Sequence, residues 1–170
     1  MKHLVAGLVV FSMTLATVMA QPAGAPKVPK GKWFEGDRGY QEALELQKQT
    51  GADILLYFFR HDASDEKGLC TWWERHGLQN GRVSKFLQDY IKVKVKMPLK
   101  PSARETFAPF KFNKTPAVYI VRAGGGFPVR CPVFNWPNNK PELKSAQELI
   151  TMFTQASGPK AEAVPLSDNE

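Results

Sequence analysis

Cysteine is scarce in this chain, with Cys70 and Cys131 the only two among 170 residues. No two thiols stand at Cys-x-x-Cys spacing, which removes the usual sequence sign of two-thiol redox chemistry. Histidine numbers three, and His61, Cys70 and His76 match no tight ligand spacing, so no metal site is read. No cofactor is implied. The net charge of +7 comes largely from dispersed lysines, without a basic helix or a nucleic-acid motif. That charge reads as solvated surface, and nucleic acid is not an expected partner. Internal repeats are absent as well.

Long apolar runs are missing except at the start, where residues 4–18 are almost wholly apolar. Lys2 and His3 precede this run, and Val18-Met19-Ala20 fits the small-residue rule for cleavage. The run is short for a membrane span and a Pro/Gly linker follows it, so residues 1–20 read as a secretory signal cut after Ala20. No cysteine at the cut suggests a lipid anchor. The mature protein is therefore expected to be secreted or periplasmic, with no stable membrane anchor, in a compartment where disulfides persist.

Residues 21–32 form a linker of Pro, Gly, Ala and Lys that cannot build a core. A single domain is expected over 33–157, then a polar disordered tail over 158–170. The domain is organised around residues 53–90. Ile54-Leu55-Leu56-Tyr57-Phe58-Phe59 is a continuous apolar run, which predicts a strand covered on both faces. A polar loop at 60–66 follows, and a helix is expected to carry Cys70 in its first turn, where free amides and the helix dipole favour a thiolate.

Around this centre the remaining elements follow from periodicity and punctuation. A helix from Asp37 carries Tyr40, Ala43, Leu44 and Gln47 on one stripe and stops at Gly51. Asn80 caps a segment whose Val83, Phe86, Leu87 and Tyr90 share a buried face. Residues 91–97 alternate apolar with Lys, which predicts an edge strand guarded by charge, an anion-binding face being the functional alternative. A short helix is expected at 103–107, and a hairpin pairs 117–122 with 127–134 across Gly124-Gly125-Gly126. Pro128 and Pro132 put that second strand on a sheet edge. Ser145-x-x-Glu148 is a capping box opening the last helix.

This order, with Trp33, the helix at 38–49, the strand at 54–59, Cys70 to Glu74, Thr115-Pro116 and the terminal helix, resembles the thioredoxin-like superfamily. The resemblance implies an α/β thioredoxin-like fold, a central mixed sheet with helices on both faces, and a cis bond before Pro116, placed beside the active-site thiol. It also implies a Cys-x-x-Cys site, from which this chain departs. If Cys70 matches the first position, Trp73 replaces the resolving cysteine. If it matches the second, Lys67 replaces the nucleophile and the downstream apolar face stays in phase, which favours this register.

Two functions remain open on this reading. The leading one is a non-catalytic binding or accessory module that presents Lys67, Trp72, Thr115 and Pro116 to an envelope protein partner. The other is a thiol-disulfide oxidoreductase or isomerase using Cys70, alone or with Cys131. A buried, unreactive Cys70, a small hydrophobe left in place, favours the module, and an exposed, reactive Cys70 favours the enzyme.

Overall fold

The structure, a computed structural model, describes residues 26–158. The expected signal segment, the start of the linker at 21–25 and the tail at 159–170 lie outside the described residues. Among the described residues no helix is long and apolar enough to cross a membrane.

The chain opens with β1 (Trp33–Glu35) and α1 (Gly36–Thr50), followed by β2 (Ile54–Phe59) and α2 (Ser64–Trp72). A π-helical turn (Trp73–Leu78) leads into α3 (Gly81–Phe86) and β3 (Ile91–Lys96). Then come β4 (Ala117–Val121), β5 (Val129–Arg130), β6 (Phe134–Asn135), β7 (Glu142–Leu143) and α4 (Ala146–Ser157). Five strands form one mixed sheet in the order β1-β3-β2-β4-β5, and β6 pairs with β7 separately. The β1–β3 and β3–β2 pairs are parallel, and the β2–β4 and β4–β5 pairs antiparallel.

The run without alternation in β2 is explained by cover on both faces. Ile54, Leu56 and Phe58 pack with Tyr40 and Ala43 of α1, whereas Leu55 and Tyr57 pack with Trp73, Val83, Leu149 and Phe153. Gln47 is the polar member of the α1 stripe because its side-chain amide donates to Ala52 O and Val121 O, tying α1 to the sheet end. Gly51 ends α1 in the left-handed conformation, Asn80 accepts from the Arg82 and Val83 amides, and Ser145 and Glu148 complete the capping box. The start of α1 differs from expectation. Glu35 holds the cap position and Asp37 lies inside the first turn, where a carboxylate still suits the dipole.

Three other expectations are corrected. β3 is not an edge strand but lies between β1 and β2, because the three-residue β1, too short to show periodicity, takes the edge. The segment expected as a helix at 103–107 is a single 3-10 turn (Pro101–Ala103) and irregular turns. Phe107, Phe110 and Phe112 come off it at spacings that let all three rings pack on Phe58. The hairpin partner of β4 is only the two-residue β5, at the sheet edge as the prolines require, while Phe134 leaves to pair with Leu143.

The π-helical turn holds a close contact between two of its own residues. A Cβ on Gly77 would lie 2.0 Å from the Trp73 ring, so only glycine lets that indole fold back over its own helix into the core. Trp73 is fully buried there, and its Nε1–H has no partner among the described residues.

Candidate functional site

Cys70 sits in the second turn of α2, not the first. Ser64, Asp65 and Glu66, expected in the loop, are already helical, and the Lys67 amide donates to Ala63 O at 2.8 Å. The free amides of the helix start therefore belong to residues 64–66, and Asp65 and Glu66 place their charge where the dipole favours it. The helix-terminus case for a thiolate does not reach Cys70.

The thiol instead faces Thr115. Cys70 is fully buried (0% exposed), and its Sγ–H donates to Thr115 Oγ1 at 3.5 Å. The Thr115 hydroxyl donates in turn to Glu66 Oε2, and the Thr115 amide donates to the same oxygen at 3.2 Å. The bond from Thr115 to Pro116 is cis, as the resemblance implied. A second carboxylate lies on the other side of Cys70 along the helix. Glu74 Oε1 accepts from the Tyr57 hydroxyl at 3.0 Å and pairs with His61 Nε2 at 3.2 Å. Burial, with Cys70 and Glu74 as neighbours, pushes the Tyr57 hydroxyl well above the ordinary range, so it stays a donor.

Cys131 is placed elsewhere. It is buried in the core with Leu55, Val118 and Phe134, and its amide donates to Val118 O just beyond β5. Burial pushes its thiol up to about 12, and both cysteines are free. Lys67 and Trp72, by contrast, reach solvent, with the Trp72 ring tilted against Phe134 at 5.4 Å between centroids. Thr115 is buried and its donors are engaged, while Pro116 beside it is half-buried. Of the residues read from sequence, Cys70, Thr115 and Pro116 thus form one locus, and Lys67 and Trp72 are exposed positions of the helix that carries Cys70. Among the described residues no group of three or more His, Cys, Asp or Glu side chains is arranged to hold a metal ion.

The fold of this chain has a solved counterpart. The C-terminal domain of DsbD from Neisseria meningitidis in its oxidised form superposes with a TM-score of 0.52 at 15% identity, covering 74% of this chain and 99% of that one. The fold is thioredoxin-like. A thioredoxin from Thermus thermophilus superposes with a TM-score of 0.42 at 16% identity, covering 74% of this chain and 86% of that one. For the DsbH oxidoreductase the TM-score is 0.43 at 22% identity, with 74% of this chain and 82% of that one covered. No protein-family model matches the sequence, and no curated protein does.

Within this thioredoxin-like frame, sequence reasoning missed Glu66, Tyr57 and Glu74. Glu66 and Glu74 each stand four residues from Cys70, the spacing that stacks side chains along one helix face, and this was the available signal. Tyr57 was legible only as strand core, because nothing in an apolar run marks a hydroxyl that a distant carboxylate will accept.

Proposed function

We propose that the protein is an exported, non-catalytic binding module that uses the Lys67, Trp72 and Pro116 surface to hold an envelope protein. The observation that carries this reading is the zero exposure of Cys70, whose thiol is turned inward onto the Thr115 hydroxyl. Thiol-disulfide exchange needs a sulfur that an incoming disulfide can reach in line. Thr115 adds to this, since its amide is already taken by Glu66 and is not presented to a partner. The exposed flank supplies the contact area instead. Trp72 offers an indole braced on Phe134, and Trp136 nearby in sequence is more than half exposed, the kind of aromatic that anchors protein interfaces. Export rests on the basic start, apolar run and Val18-Met19-Ala20 of the N-terminus.

Thiol titration of the exported protein, with and without denaturant, tests the reading. The native protein should react with almost no thiol reagent within minutes, and the denatured protein should release two thiols. Rapid reaction of one native thiol, together with reduction of insulin in dithiothreitol above background, would transfer the assignment to an oxidoreductase using Cys70. Mass spectrometry of the same sample should find Gln21 as the first residue.

A further inference from the structure

The alternation of Val and Lys along β3 places the two residue types on opposite faces of the sheet. Val93 and Val95 pack beneath α1. Lys92 and Lys94 point the other way, where the π-helical turn and α3 do not close over the β1–β3 end of the sheet. They line a cavity of about 580 Å³, within the roughly 300–1,000 Å³ usual for small-molecule sites. Trp33, Tyr57 and Phe59 line it from the sheet side, and Leu78 and Leu87 from the helix side.

The charged groups of this cavity are unevenly partnered. Lys94 is paired with Glu35 at 3.0 Å, and Glu74 is engaged by Tyr57 and His61. Lys92 is only 8% exposed and has no ion-pair or hydrogen-bond partner among the described residues. Burial of the side chain lowers its tendency to hold a proton, while Nζ itself still opens on the cavity. A cation held at a cavity wall without a partner is open to an incoming anion. A central strand also offers no reason for lysine, since the guarding of an exposed edge does not apply to β3.

We propose that this cavity is a binding site for a small organic monocarboxylate, its carboxylate on Lys92 and its apolar body against Trp33, Phe59, Leu78 and Leu87. One cation without a partner suits a single negative charge better than a phosphate dianion, and the aromatic and aliphatic lining suits a hydrocarbon chain or ring. The site is independent of the reading of Cys70.

Isothermal titration calorimetry of the exported protein tests this with octanoate, 1-octanol and inorganic phosphate as probes. Octanoate should bind, and octanol and phosphate should each bind at least tenfold more weakly. Lys92→Met should weaken octanoate at least tenfold while its circular dichroism and melting remain those of a folded protein. Lys94→Met, which leaves Lys92 in place, should weaken it only severalfold. The proposal is overturned if octanoate gives no binding at millimolar concentration, if octanol binds equally, if phosphate is preferred, or if Lys92→Met binds octanoate unchanged.

Discussion

Cys70 Sγ and Thr115 Oγ1 lie 3.5 Å apart, joining the second turn of α2 to the residue that precedes the cis proline. Glu66 closes the same junction by accepting both the hydroxyl and the amide of Thr115. The two segments are thus held by a relay in which each polar group has a partner, and the sulfur lies at its buried end.

Removing the middle of that relay should be costly. Thr115→Val preserves shape but leaves the Cys70 thiol without an acceptor and takes one donor from the Glu66 carboxylate. The expected loss is about 1–2 kcal/mol, measured by urea unfolding. Native thiol reactivity should rise in the same variant. A variant as stable as the parent would show that the hydroxyl contributes nothing to the junction.

Lys67→Cys tests the register in which Lys67 occupies the nucleophile's place. Lys67 is exposed, so the variant should fold with a stability change within about 0.5 kcal/mol. It should reduce insulin in dithiothreitol above the parent's background. Trp73→Cys builds the same spacing on the other side of Cys70 but empties a fully buried site, at about 3 kcal/mol or more. Activity gained only by Trp73→Cys would mean that Cys70 is the nucleophile.

Gly77→Ala is expected to be among the most damaging small changes in the domain. The new methyl would sit 2.0 and 2.1 Å from Trp73 Cε3 and Cζ3, and that ring is fully buried. A loss of about 3 kcal/mol, at the upper end of ordinary overpacking, should appear as a large fall in the denaturation midpoint. Gly68→Ala, where a Cβ meets nothing within 4 Å, is the control and should be neutral or slightly stabilising.

Lys92 should give stability a pH dependence. Burial holds its folded pKa below the ordinary 10.5, so the unfolded chain binds more protons between the folded value and 10.5. Its unfavourable contribution is complete below the folded pKa and fades as pH rises through that window. Without ligand, Lys92→Met should therefore be more stable than the parent at neutral pH, and the difference should narrow toward pH 10.5. Thermal melts across pH 7 to about 10.5 measure this, and a constant difference would contradict it.

Much of the architecture follows from local chemistry that sequence carries by itself. Gly51, Asn80 and the Ser145–Glu148 pair end or begin helices through contacts within a few residues, and the run in β2 declares a doubly covered strand wherever it sits. Strand neighbours are different, because pairing partners lie far apart along the chain and a three-residue strand has no period. The lysines of β3 therefore read as guards of an edge until β1 is found beside them and the edge moves outward. The site divides in the same way. The presence of one thiol beside Lys67 is a fact of sequence, whereas its burial against Thr115 and the unpaired state of Lys92 arise only when α2, the Thr115 loop and the π-helical turn are packed on the sheet. A side chain's exposure and charge partners are set by what other segments bring to it, and those segments meet only in three dimensions.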